Sequence, residues 1–329
     1  MSTDDTARAR PEPIKAVPVR HPGRWVAAVV ILILVIMFVH LLVTNEAFQW
    51  SFMIDNMFRP PIINGFYGTI ALTVLSMVIG VSFGVVLAIC RLSPNPILSR
   101  TAWVYTWVFR AIPRLVLCVL FGNLGILWHQ IGFGLPFDRQ IGALFGIHDL
   151  NAKIFTFDAR TVLTGFVAGM LALALSEAAY MAEIVRAGIQ SVDTGQTEAA
   201  EALGLTRGQA LRRVVLPQAM RVIVPPTGNE AIAMLKDTSL VAYTPVTMEL
   251  FYQLTLVGSR TFQVFPMLVA ACIWYVMIVS VMMVIQYYVE RYFSRGYGQG
   301  GKARNRLRDI GVEHSGRIVI QPSDSGGAA

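Results

Sequence analysis

The chain has 329 residues, 55% of them hydrophobic and 14% charged, with a net charge of +7. An average soluble domain carries about 25% charged residues, so this composition excludes a water-soluble globular enzyme and points to an integral membrane protein. The positive balance fits the cytoplasmic excess of Lys and Arg in membrane chains better than a nucleic-acid surface.

In chain order, a basic tail with Arg8, Arg10, Lys15, Arg20 and Arg24 precedes the apolar stretch Trp25–Val43. A spanning helix needs about 20 mostly apolar residues. No small-x-small cleavage site follows, so an uncleaved anchor helix is expected rather than a signal peptide. Ile62–Cys90 has no charge, and Arg91, Pro94 and Pro96 end it. Its Gly80, Gly84 and Ala88 recur every fourth residue, a stripe for close helix packing.

Trp103–Trp128 reads as a third span, interrupted near its start by Arg110, Pro113 and Arg114. The polar His129–Arg160 connection leaves room for a short re-entrant or surface helix. Thr161–Ile184 is the fourth span, apolar until Glu177; Val222–Tyr243 is the fifth, with charges inside it; Phe262–Val289 is the sixth. The Arg-, Gly- and Ser-rich tail is expected to be disordered beyond Gly296.

Lys and Arg counts set the orientation. The N-terminal tail, the Arg91–Arg100 loop, Arg186–Arg221 and the C-terminal tail hold five, two, five and seven. Residues 44–61, 129–160 and 244–261 hold one, three and one. Nineteen against five predicts six spans with both termini cytoplasmic. The expected organisation is a cytoplasmic tail over 1–24, an anchor helix over 25–43, a transmembrane domain over 62–292 and a basic cytoplasmic tail over 293–329.

Arg186–Arg221 is too polar to span. Asp193 can cap a helix with Gln196 as reciprocal partner, and Gly204 suits a left-handed stop. Thr206 with Gln209 repeats the capping box, and Pro217 limits the second helix. Two short helices joined at Gly204 follow, the first slim at Ala199, Ala200 and Ala202, the second with an apolar stripe of Leu211, Val214 and Val215. Such a pair suits docking to a partner; the rival is an amphipathic pair lying on the membrane.

Glu198, Ala199 and Ala200, then Gly204, then Val214, Leu216 and Pro217 resemble the coupling-loop motif of binding-protein-dependent ATP-binding-cassette (ABC) permeases, with Val214 in place of Ile. The runs Ala178–Ile184, Arg186–Ile189, Leu216–Ala219, Pro225–Pro226, Gly228–Glu230 and Leu235–Leu240 look like the polar amino acid branch. Phe109–Arg110 before Pro113 looks similar too, although Ala111, Ile112 and Arg114 depart from that branch's pattern. Glu177 also departs, and the 129–160 connection is longer than usual. The resemblance covers roughly 62–292. It implies an all-α, type I ABC importer-like permease: one anchor helix plus a five-helix core with a cytoplasmic coupling-helix loop, in the bacterial plasma membrane.

The implied function is ATP-driven amino acid import. The implied partners are a dimer of ATPase subunits that binds ATP and Mg, a second permease subunit, identical or related, and an extracytoplasmic substrate-binding protein. No nucleic acid, bound cofactor or catalytic group is expected on this chain. An ion-gradient-driven secondary transporter is the alternative, although no internal repeat supports it; a membrane scaffold is a third. The sequence leaves open which amino acid is carried.

Lys236 lies about 15 Å along a helix from Pro226, near mid-bilayer, where ionisable groups are costly unless paired or wetted. Lys236, Asp237, Thr238 and Ser239 are therefore candidates for the pathway or its gate, or for a packing network. Asn229 and Glu230 are candidates nearer the cytoplasmic mouth. Glu177 is open to selecting cationic substrates or to pairing with Lys236. Cys90, Cys118, Cys272 and the five histidines show no disulfide or metal spacing. Gly296–Ala303 nearly matches a P-loop, but Ala303 stands where magnesium needs a Ser or Thr hydroxyl.

Overall fold

The computed structural model describes residues 22–124, 130–134, 141, 143, 145–146, 153–158, 165–244 and 246–293. The expectations for 1–21 and 294–329 lie outside the described residues. The chain divides into two units, Met1–Gln49 and Trp50–Ala329.

The first unit contains α1 (Pro22–Thr44). Its apolar side chains are exposed along the helix, Trp25, Ile31, Leu34 and Phe38 among them, as suits a helix solvated by lipid. Asn45 caps a following turn of 3-10 helix, Glu46–Phe48, accepting from the Ala47 N–H.

The second unit begins with α2 (Trp50–Met57) and α3 (Pro60–Leu92). Prolines at the start of α3 forfeit only N–H groups that a first turn leaves unpaired. Then come α4 (Pro96–Ala111) and α5 (Arg114–Gly122), bent by 97° at the break. The third span is thus two helices rather than one. Pro113 has no N–H to donate, and Ile112 before it is extended, as a pre-proline residue prefers.

The 129–160 connection holds two strands not expected from the sequence; Ile141 and Ala143 are helical, and the rest of the expected helix lies outside the described residues. β1 (Gln130–Gly134) pairs antiparallel with β2 (Lys153–Asp158), in the register Ile131 to Phe157 and Phe133 to Phe155. Alternating β-branched and aromatic residues over Lys153–Asp158 favour a strand over a helix. After it come α6 (Gly165–Gln190), α7 (Thr194–Ala202), α8 (Arg207–Ala210), α9 (Leu216–Asp237), α10 (Leu250–Thr261) and α11 (Val264–Phe293).

The expected limit of the second coupling helix at Pro217 is not observed. After α8 the chain makes a π-helical turn, Leu211–Val215, and runs on into α9 with Pro217 in its first turn. Proline's fixed φ suits the first turn of α9, and the π-helical turn before it carries the chain in. The helix of the fifth span therefore starts six residues before Val222, and a 3-10 segment, Thr238–Tyr243, continues it.

Among the described residues, four helices are long and apolar enough to cross a membrane: α1, α3, α6 and α11. The α4–α5 pair makes a fifth candidate. The core is the α3–α6 seam, the most extensive helix contact. A Cβ on Gly80 would lie 2.7 Å from the Glu177 Cβ, and one on Gly84 would lie 2.6 Å from that of Met181. Matching positions advance together, so the two helices run parallel, backbone close to backbone.

Around the seam, the Tyr105 hydroxyl donates to the Leu175 carbonyl at 2.8 Å, tying α4 to α6. Fully buried Glu249 caps α10, accepting from the Tyr252 N–H, the Thr69 hydroxyl of α3 and the Tyr275 hydroxyl of α11. A buried carboxylate is tolerable only with such donors.

Candidate functional site

Arg114 opens α5 immediately after the break, which turns its side chain toward α6 and α9. Its guanidinium reaches Asp237 at 2.6 Å, Glu177 at 3.0 Å and Glu230 at 3.3 Å. Glu230 and Asp237 are seven residues apart on α9, two turns along one face. Glu177 projects from α6, fully buried against Gly80. Only a glycine at position 80 lets α3 approach this carboxylate so closely.

Glu177, three residues before Tyr180, shares its face of α6. The Tyr180 ring carries the Arg114 guanidinium at 4.8 Å and that of Arg110 at 5.5 Å, both within cation–π range. The cluster sets one guanidinium against three carboxylates, a formal balance of −2. Glu177 Oε1 and the neighbouring Ser176 Oγ are buried and make no hydrogen bond with the described residues. In a low-dielectric setting an excess of carboxylates attracts cations strongly.

Of the expected pathway residues, Glu177, Glu230 and Asp237 come together, and the others do not join them. Pairing of Glu177 with Lys236 is not observed. Adjacent residues diverge by about 100° on a helix, so with Asp237 turned to Arg114, Lys236 is exposed. Asn229 accepts from the Gln286 amide of α11 at 2.8 Å, away from the cluster. Thr238 and Ser239 donate back to the Leu235 and Lys236 carbonyls, both at 2.7 Å.

Arg114 carried a signal in the sequence, as a charge beside a proline inside an apolar span, which marks functional sites by default. Its partners lie 63, 116 and 123 residues away, and no local pattern names them.

The second polar region is the coupling segment. Asp193 caps α7 by accepting from the Gly195 N–H at 2.7 Å. Gln196 does not close the expected box; it accepts instead from Gln218 of α9 at 3.3 Å. Gly204 has φ +83, and its N–H donates to the Glu201 carbonyl. Leu205 N–H reaches back to the Ala200 carbonyl at 3.1 Å, which completes a left-handed stop. The Thr206–Gln209 capping box forms in both directions, at 3.0 and 3.4 Å.

Ala200, Ala210 and Val215 are buried between these short helices. Val214 and Leu216 are half-buried, while Glu198, Ala199, Gly204 and Pro217 are exposed. Leu203 stands 84% exposed at the turn, an apolar tip suited to burial against another protein.

Residues 80–295 match the family model described as binding-protein-dependent transport system inner membrane component. The chain is 42% identical over 319 residues to the arginine transport system permease protein ArgU of Corynebacterium glutamicum, covering 96% of this chain and 95% of ArgU. It is 33% identical over 245 residues to the glutamate/aspartate import permease protein GltK of Escherichia coli, covering 74% of this chain and 98% of GltK. Among solved structures, an amino acid ABC transporter crystallised with histidines superposes with a TM-score of 0.56 at 32% identity, over 71% of this chain and 94% of that one.

Proposed function

From the premise that the chain belongs to the family of binding-protein-dependent transport system inner membrane components, we propose that it forms the translocation pathway for a cationic amino acid. It is the membrane permease component of an ATP-driven amino acid import system in the bacterial inner membrane, and a separate subunit binds and hydrolyses the ATP. Membership of this family displaces the ion-gradient carrier.

The observation that carries the cargo is the Arg114 cluster. With a single guanidinium answering Glu177, Glu230 and Asp237, two carboxylate charges remain for a substrate with two cationic groups, its α-ammonium and its side chain. ArgU, an arginine transport system permease protein by name, supports the same class.

The chain is inferred to cross six times, α1 as an anchor and α3, the α4–α5 pair, α6, α9 and α11 as the core, with both termini cytoplasmic. Although α9 carries Arg221, Glu230, Lys236 and Asp237, its charged face fits a crossing that borders the pathway. Glu198 to Pro217 docks in the ATPase, where the exposed Ala199 and the Leu203 tip meet it. A second permease subunit, identical or related, completes the pathway, and a substrate-binding protein delivers cargo from outside.

ATP-driven uptake into proteoliposomes holding the whole system tests this reading. Labelled L-arginine uptake is expected to be inhibited by excess L-lysine and unaffected by excess L-glutamate. Equal inhibition by L-glutamate would overturn the cationic assignment.

A further inference from the structure

A cationic amino acid brings two positive groups and one negative group, and the carboxylates of the Arg114 cluster answer only the positive ones. Arg114 is already outnumbered three to one, since its single positive charge is shared among Asp237, Glu177 and Glu230. The adjoining cation is Arg110, in the last turn of α4. Its guanidinium lies 5.5 Å from the centre of the Tyr180 ring that also carries Arg114. Arg110 is exposed, and among the described residues it makes no ion pair.

We infer that Arg110 receives the α-carboxylate of the transported amino acid, as a specificity residue for the proposed cargo. The Tyr180 ring lies against the Arg110 guanidinium, and a planar guanidinium takes up a carboxylate in a two-point bond. Charge balance then closes group by group: two surplus carboxylates for the α-ammonium and the side-chain cation, and one free guanidinium for the carboxylate. Lys236 is a poorer candidate, because it diverges from the Asp237 face and presents a single point charge. The chemistry selects for an amino acid over the amine made by its decarboxylation.

This inference rests on the cationic-cargo reading, and equilibrium binding separates the two. The probes are L-arginine and agmatine, which share the guanidinium and primary amine and differ in the carboxylate. The sample is the purified permease–ATPase complex in nanodiscs. Wild type is expected to bind L-arginine about tenfold or more tighter than agmatine, as a charge-assisted bond allows.

Arg110→Gln is expected to lose that preference by weakening L-arginine alone, and Arg110→Lys to retain part of it. Equal binding of both probes by wild type, which needs no variant, would overturn the inference, as would an Arg110→Gln effect of equal size on both. Binding of neither probe by wild type would refute the cationic-cargo reading itself.

Discussion

The coupling segment and the Arg114 cluster are both polar, yet their construction is opposite. In the segment the caps and turn are short-range, Asp193 to Gly195, Gly204 to Glu201 and Thr206 to Gln209, and Gln196 to Gln218 is a longer tie. In the cluster a single half-buried arginine gathers acids from two other helices, 63 to 123 residues away. An exposed segment ordered by its own caps can shift as a unit, since water satisfies whatever its motion releases. A charge network withdrawn from water around a fully buried Glu177 cannot lose its cation without leaving charge unanswered. The first construction suits a part that transmits motion. The second suits a part that must hold a fixed charge pattern while the helices around it move.

The largest expected effect tests that difference at its centre. Arg114→Leu leaves Glu177, Glu230 and Asp237 facing one another without a cation. A cost of about 2–3 kcal/mol is expected, less than for a fully buried pair because Glu230 and Asp237 are partly exposed, read as a fall in the melting temperature of the detergent-solubilised protein. A melting temperature equal to wild type would show that the cluster is not electrostatically coupled. Gly204→Val forces a β-branched side chain to φ +83, which costs about 1–2 kcal/mol. A Cβ there meets nothing within 4 Å, so the strain stays in the turn. The expected outcome is reduced copurification of the ATPase subunit with an unchanged melting temperature of the transmembrane core. Loss of both together would erase the distinction between the two regions.

That construction also decides what the sequence reveals. Caps and a left-handed glycine act over three or four residues, so the roles of Asp193, Gly204, Thr206 and Gln209 are legible in the sequence alone. The expected Gln196 box failed because a tertiary partner, Gln218, took its side-chain oxygen. Pro217 reads as a stop in sequence, but the π-helical turn before it carries the chain into α9. The Gly80–Gly84–Ala88 stripe was legible as a packing face, although not that Glu177 would lie under Gly80. Glu177, Glu230 and Asp237 were each visible as costly charges in apolar surroundings. Their common partner was not, because it depends on the bend at Pro113, which redirects Arg114. The β1–β2 hairpin was missed for a similar reason, since short strands pair through register rather than composition.

Direct binding of L-arginine to the permease–ATPase complex, wild type against Glu177→Gln and without a substrate-binding protein, is the most direct test of the central claim. Glu177 is the buried member of the cluster and holds the carboxylate oxygen that accepts no bond among the described residues. Removing its charge is predicted to weaken L-arginine binding by about tenfold and to reduce discrimination against L-glutamine. An unchanged affinity and an unchanged L-arginine to L-glutamine ratio would contradict an acidic cluster that selects cationic cargo.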